Sequence, residues 1–443
     1  MSTPHGTQRS PDGRRIATAD PNSHLHSLAL AQELKWLRAY ASVTYPFACV
    51  PFLFLFFADH GMGAGQYGEI LTAYYVTMFL AEVPTGMLAD RFGTRGMLVL
   101  GPVILAAGFA IMVAQPCYSG FLVGEILLGL GHSVLSGPPT VALYDTLQRH
   151  GQEHRYLAEE SRIHARRLYG TGSAFLLGGL LVYFGNASGN AYTAAIAATC
   201  VLHLLAACFA TRLTNRCKTP PAERPDVFLG HAREELKKPA VRWLLLYWVV
   251  LFTLLRFPFH NYQPYLKAAG EIEPLLANAI VVGVVFALLN LVAAPLSSCV
   301  PKLVDRFGRR ALFWWMPLTL SVSLVVMAFE RMLAANGEGS RTWCWIGISM
   351  FFVQQVPFAM HWSLLHEFVN HRISSAARTT VLSVISLGAR AVYALVNLQL
   401  FHLQASAGLA TALVTTAVCG AIATTCVLWF RPRGLLRGKQ PIE

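Results

Sequence analysis

The chain has 443 residues, is 54% hydrophobic and only 13% charged, and has a mean hydropathy of +0.46. A water-soluble globule carries about 25% charged residues, so this composition excludes that class and leaves most side chains facing lipid or packed protein. The formal net charge of +12 would suit nucleic acid or anionic lipid, but its distribution along the chain follows membrane topology and excludes a nucleic-acid partner.

The first 35 residues are polar, hold Arg9, Arg14 and Arg15, and lack the apolar core of a signal peptide. They read as a cytoplasmic disordered tail, 1–35. The stretch from His24 to Leu37 is weakly amphipathic and reads equally as a surface helix or as an extension of the first span. A spanning helix needs about 20 mostly apolar residues. Twelve segments meet this: 36–59, 65–89, 96–115, 120–146, 166–185, 190–212, 240–262, 275–301, 310–333, 342–369, 379–402 and 407–430. Segment 213–239 is rich in proline (Pro220, Pro221, Pro225) and charged from Arg233 to Lys238, and it divides six spans from six. The predicted fold class is therefore an all-α integral membrane protein of 12 transmembrane helices in two six-helix halves. A bundle at 36–212 and a second at 240–430 flank a cytoplasmic linker, and 431–443 form a cytoplasmic tail.

Placing both termini in the cytoplasm puts 30 of the 35 Lys and Arg residues on that side. Only Lys267, Arg331 and Arg341 fall opposite, and Arg256 and Arg390 stay inside spans. That asymmetry obeys the positive-inside rule and explains the basic character of the chain. The nine cysteines are scattered without a CxxC pair, and no HExxH run or clustered His/Cys spacing occurs, so neither a metal site nor a disulfide framework is expected. Asn186-Ala187-Ser188 matches a glycosylation acceptor, but so short a loop makes a chance match the better reading. No phosphate-cradling Gly-x-x-x-x-Gly-Lys-Ser/Thr loop exists, which argues against drive by ATP; no cofactor is implied.

One phrase occurs twice. Leu88-Ala89-Asp90-Arg91-Phe92-Gly93-Thr94-Arg95 returns as Leu303-Val304-Asp305-Arg306-Phe307-Gly308-Arg309-Arg310 after 215 residues, each copy between consecutive spans. A weaker repeat places an acid near the end of the fourth and tenth spans, at Tyr144-Asp145 and His366-Glu367. Internal duplication in a membrane chain is the mark of transporters built from related halves. With twelve spans, a six-plus-six split and a basic central loop, the chain resembles the major facilitator superfamily. The run Gly86 to Arg95 is similar to that family's signature between its second and third spans. Glu82-Val83-Pro84-Thr85-Gly86, and Ser136-Gly137 ahead of Leu143-Tyr144-Asp145, are similar to a bacterial drug- or metabolite-exporter subgroup. The resemblance implies multi-pass residence in the cytoplasmic (inner) membrane. It also implies that Gly86, Asp90, Arg91, Gly93 and Arg95, with Asp305, Arg306, Gly308 and Arg309 in the second copy, form a cytoplasmic gate. Asp90 would end its helix beside the negative end of the macrodipole and needs neighbouring cations or helix N-termini to hold it. In the fifth span Gly170, Ala174-Phe175 and Gly178-Gly179 keep the ends of the family's antiporter signature and lose its middle, and Glu125 stands where proton-driven exporters often have an arginine.

Ionisable groups inside spans are costly and usually functional. Glu82 lies about 12 Å along its helix from Asp90, well inside the membrane. Glu82, Glu125 and Asp145 are the proton-coupling candidates. Arg256, His361, Arg390, Tyr45, Gln354 and Asn397 are the substrate-cavity candidates, with Gln355 and Asn290 as further polar contacts. Arg256 and Arg390 would either neutralise those acids or bind an anionic substrate. His132, His260 and His361 read more readily as packing histidines than as proton relays.

The expected activity is secondary transport of a small molecule across the bilayer by alternating access, proton-coupled, with export of an amphipathic drug or metabolite first and uptake of an anionic metabolite second. The partners are the substrate, protons and lipid, and the oligomeric state is expected to be monomeric. A receptor or scaffold on the same fold would need external loops or domains that the short connections do not supply, and an enzyme would need a nucleophile–base pair or metal cluster. If the signature is a gate, Asp90→Ala impairs flux in proteoliposomes while the protein still inserts; wild-type flux in that variant contradicts the gate.

Overall fold

A computed structural model describes residues 21–186, 191–213, 225–372 and 375–432. Most of the N-terminal tail, Ala187-Ser188, Cys217, Pro220, Pro221 and the last residues of the chain lie outside the described residues, as do the side chains of Asp90, His366 and Glu367. The described residues are almost wholly helical and include no strand.

Eight of the described helices are long and apolar enough to cross a membrane, and Val50–Asp59 and Ala279–Ala293 are shorter apolar helices. In chain order the α-helices are α1 (Pro21–Thr44), α2 (Leu53–Asp59), α3 (Ala64–Ala114), α4 (Tyr118–Val134), α5 (Pro138–Arg149), α6 (Tyr156–Gly185) and α7 (Ala191–Ala210). They continue with α8 (Pro225–Lys237), α9 (Pro239–Gly270), α10 (Ala279–Ser298), α11 (Val300–Ala335), α12 (Arg341–Arg372) and α13 (Ser375–Trp429). The chain is thus already helical from Pro21, so the stretch around His24 to Leu37 extends the first helix rather than lying free of it. Within the linker, α8 is helical.

Three long helices are interrupted at glycines. Gly93 in α3 (φ 68°, ψ 167°), Gly308 in α11 (φ 74°, ψ 154°) and Gly408 in α13 (φ 86°, ψ 164°) leave the helical region. Positive φ is the conformation only glycine adopts without cost. The glycines of the two Asp-Arg-Phe-Gly copies therefore turn the backbone in nearly the same way, and Arg91 and Arg306 lie over the following Phe92 and Phe307 rings at 5.8 and 5.5 Å.

The first predicted span, 36–59, is not one helix. Pro46 disfavours the helical conformation at Tyr45, and α1 stops at Thr44. A short 3₁₀ turn, Val50–Phe52, with Pro51 inside it, precedes α2. Backbone groups freed in the hydrocarbon must find partners inside the protein. Cys49 N donates to Thr199 Oγ1 of α7 at 3.1 Å, and Phe54 N donates to Gln263 Oε1 of α9 at 2.7 Å. Gln263 Nε2 returns a bond to Val50 O at 2.5 Å. The fourth predicted span is also interrupted, at Leu135–Gly137 between α4 and α5, where Pro138 and Pro139 open the next helix.

Glycines on α6 make room for this break and for its other neighbour. A Cβ on Gly178 would lie 1.9 Å from Ala48 O, and one on Gly170 2.3 Å from Ser42 O. On another face, a Cβ on Gly179 would lie 2.8 Å from Ala279 O, and one on Gly283 of α10 2.8 Å from Phe175 O. Small residues that let helices approach are the usual glue of membrane bundles. The fifth-span glycines are thus packing surfaces for the broken first span and for α10.

Overpacking of this kind costs about 1–3 kcal/mol or more. Gly179→Leu should lower the melting temperature of detergent-purified protein by several degrees, whereas Gly230→Ala, with open space around it, should leave it unchanged or raise it; equal melting of the two variants contradicts the close packing of α6 on α10.

Candidate functional site

The seam between α3 and α13 carries most of the polar contacts that join the chain before the linker to the chain after it. At one end Glu69 of α3 accepts from Tyr118 Oη at 2.8 Å and stands 3.6 Å from His402 Nε2. Further along, Asn397 Nδ2 donates to Gly68 O and Thr72 Oγ1, both at 3.2 Å, and Thr72 Oγ1 donates to Ala394 O at 3.2 Å. The backbones are close here, since a Cβ on Gly68 would lie 2.2 Å from Phe401 Cβ. Next come Tyr75 and His260 of α9, whose Oη and Nε2 share a hydrogen bond at 2.9 Å. Last is an ion pair, Arg390 Nη1 to Glu82 Oε2 at 3.3 Å, with the two side chains 20% and 25% exposed.

The Glu82 region is shaped by its own sequence. Pro84 withholds an amide from the helix, and Thr85 Oγ1 bonds Ala81 O at 2.8 Å and Ser133 Oγ of α4 at 3.0 Å. The Glu-Val-Pro-Thr run therefore stays within α3 and is anchored on α4 through Thr85, with the Glu82 carboxylate at its start.

An aromatic wall stands beside the ion pair. Tyr75 meets Tyr393 edge-on at 4.8 Å, Phe252 meets Tyr393 at 5.4 Å, and Trp248 stacks on His361 at 5.4 Å. Arg256 of α9 lies over the Phe252 ring at 5.4 Å and makes no ion pair or hydrogen bond among the described residues. Its charge interacts with Tyr74 and Tyr75 of α3, His132 of α4, His361 of α12 and Tyr393 of α13. Side chains of four other helices thus lie within its electrostatic reach.

The other predicted residues take varied positions. Glu125, 4% exposed on α4, has no hydrogen-bond or ion-pair partner among the described residues, and it interacts electrostatically with Tyr67, Tyr74 and Tyr75. Asp145 is half-buried on α5; its carboxylate joins no ion pair among the described residues, and its carbonyl accepts from Arg149 Nε at 3.3 Å. Tyr45 lies at the break after α1 with Arg167 over its ring at 3.9 Å. His361 bonds Phe358 O through Nδ1. Gln354 is engaged within the packing of α9, α11 and α12, accepting from Tyr262 Oη at 2.7 Å and donating to Ser323 Oγ at 2.9 Å. At the signature, Arg95 donates to Thr211 O at 2.5 Å, and Arg91, Asp305, Arg306 and Gly308 are exposed. Gly86 is half-buried.

Three buried groups escape a reading of the sequence. Gln263 closes the broken span, and beside His260 and Asn261 nothing in the sequence marks it out. Glu159, fully buried, pairs with Arg38, with Arg155 at 3.2 Å and with Arg162 at 2.5 Å, tying α1 to α6. Glu330, also fully buried, pairs with Arg331, accepts from Tyr265 Oη at 2.6 Å and contacts Cys344 Sγ at 3.4 Å. Both acids sit near predicted span ends, where charge gives no signal of burial. Among the described residues no group of three or more His, Cys, Asp or Glu side chains is placed to hold a metal.

Residues 39–397 match the Major Facilitator Superfamily. The chain belongs to that family, which consists of membrane transporters and not enzymes. Multidrug resistance protein MdtH of Aeromonas salmonicida is 34% identical over 113 residues, 25% of this chain and 28% of that protein. MdtH of Aeromonas hydrophila is 33% identical over 113 residues, again 25% of this chain and 28% of that protein. The matched stretch is thus little more than a quarter of these relatives' length. Among solved structures, the nucleoside transporter NupG superposes with a TM-score of 0.69 at 12% identity, covering 93% of this chain and 100% of that one. The POT family transporter PepTSo gives 0.72 at 11% identity, covering 92% and 99%. At such identities the likeness is one of fold.

Leaving a buried polar group without its partner costs about 1–3 kcal/mol, and Gln263 satisfies two. Gln263→Ala should lower thermal stability in detergent clearly more than Gln355→Ala, for which no comparable pair of backbone bonds exists; an equal or smaller loss contradicts the closing role of Gln263.

Proposed function

We propose that the protein is a proton-coupled secondary transporter that exports a small amphipathic compound across the cytoplasmic membrane by alternating access. In this reading α1 with α2, the two arms of α3, α4 with α5, α6 and α7 make six crossings. Helices α9, α10, α11 and α12 and the two arms of α13 make the other six. The segment 213–239, with α8, links the two halves. Both termini are cytoplasmic, which puts Asp90 and Asp305 at the inner face and the Glu69–His402 contact at the outer one.

The observation that carries the reading is the Glu82–Arg390 ion pair, which lies at the far end of the α3–α13 contacts from Glu69–His402. A charged pair inside the hydrocarbon is expensive, and marks function more often than support. Here it joins the two halves, so breaking and remaking it accompanies any rocking of one half against the other. A proton arriving on Glu82 removes the attraction to Arg390 and frees the halves to part along α3 and α13. Glu125, buried near Tyr74 and Tyr75 without a partner among the described residues, is the second proton site, and Asp145 stands nearer the inner face on α5. The partial likeness to multidrug resistance proteins supports export, and the aromatic wall suits an amphipathic cargo.

The test is flux in proteoliposomes under an imposed pH gradient across a panel of amphipathic compounds. Glu82→Gln and Glu125→Gln should each lose gradient-driven flux while keeping substrate exchange. Full pH-gradient dependence in both variants contradicts the coupling assignment, and absence of gradient-driven flux for every compound with the wild type contradicts the proton-coupled transport itself.

A further inference from the structure

Arg256 is the embedded cation that the seam leaves over. Arg390 has Glu82. Arg256, half-buried in mid-helix on α9, has the face of Phe252 at 5.4 Å and no anionic partner among the described residues. Glu125 does not compensate it: the carboxylate and the guanidinium both act on Tyr74 and Tyr75, yet they are not paired with each other. An arginine inside the bilayer is normally paired or faces a water-filled cavity. A guanidinium presents a planar fork of donors that fits a carboxylate with two parallel bonds.

The surroundings define the remainder of the ligand. Tyr75, Phe252 and Tyr393 form an edge-to-face set, and His260 stacks on Tyr393 with centroids 6.5 Å apart. Such rings bind a flat apolar body through stacked or edge contacts. The Tyr393 hydroxyl is buried without a hydrogen-bond partner among the described residues, a cost that falls away if an acceptor enters when the halves part.

We propose that Arg256 anchors the anionic group of the transported compound, and that the substrate is an aromatic organic anion whose ring lies among Tyr75, Phe252 and Tyr393. This rests on the transporter reading but not on its direction or on its proton sites. The bound anion would neutralise Arg256 and leave the pair uncharged overall within the membrane interior.

Binding to the detergent-purified full chain tests this without any flux. The probes are 2-naphthoate, its uncharged analogue 2-naphthamide and the cation 2-naphthylmethylammonium, followed by tryptophan fluorescence and thermal shift. Wild type should prefer 2-naphthoate. Arg256→Gln should weaken 2-naphthoate about tenfold or more, the loss of a charge-assisted pair, and leave 2-naphthamide unchanged. Arg256→Lys should recover part of the loss, and it carries the test if the glutamine variant does not purify as a single species. Unchanged 2-naphthoate affinity in Arg256→Gln, equal loss for the acid and the amide, preference of the wild type for the ammonium, or no binding of any probe overturns the proposal. Because this binding is read at equilibrium without a gradient, whereas the proton-coupling assignment is read as gradient-driven flux, failure of that assignment and failure of the anion site give different results.

Discussion

Every backbone polar group in the hydrocarbon must be satisfied by the protein itself, and much of the architecture follows from how this chain meets that demand. Two prolines break the first span, and the freed amides and carbonyl are met by Thr199 and Gln263 from helices far away in sequence. Glycines on α6 let the broken segment and α10 approach from different sides. A carboxylate and a guanidinium, 308 residues apart in sequence, neutralise each other as Glu82 and Arg390. Each of these solutions ties the chain before the linker to the chain after it, or positions a helix that does.

That arrangement explains why the seam is a reasonable place for a moving joint. The polar contacts along α3 and α13 are discrete, running from Glu69–His402 to Glu82–Arg390 beside close apolar packing such as Gly68 on Phe401. Discrete polar contacts have two states, made and unmade, whereas a continuous apolar interface resists separation. At the inner side of the proposed transporter the two Asp-Arg-Phe-Gly copies turn at Gly93 and Gly308 with matching backbone angles. Equivalent turns at equivalent joints are what two related halves require to move as mirror-like units.

Much of this was legible in the sequence, and the limits have physical causes. The duplicated phrase, the long apolar segments and the family were readable because each is a local pattern. Glu82, Arg256 and Arg390 stood out because charge inside an apolar run is conspicuous. Pairing was not readable: nothing local tells whether Glu82 meets Arg256 or Arg390, since the choice is made by helix packing. Nor was the break in the first span, although Pro46 and Pro51 were in view, because a proline in a membrane helix is tolerated wherever neighbours supply the missing partners. Gln354 looked like a cavity residue and is engaged among α9, α11 and α12, while Gln263, the amide that matters to the break, carried the same residue type and no distinguishing context.

The central claim is that the halves part along this seam when Glu82 loses its charge. Pulsed electron–electron distance measurements between spin labels test it most directly, with a pair at Gln148 and Lys302 for the proposed inner face and a pair at His60 and Lys267 for the outer one. In a cysteine-free background the account predicts two populations at each face. Acidification and Glu82→Gln should shift the two pairs in opposite directions, inner distances shortening as outer ones lengthen. A single unchanged distance at both faces, across pH and in the variant, would contradict it.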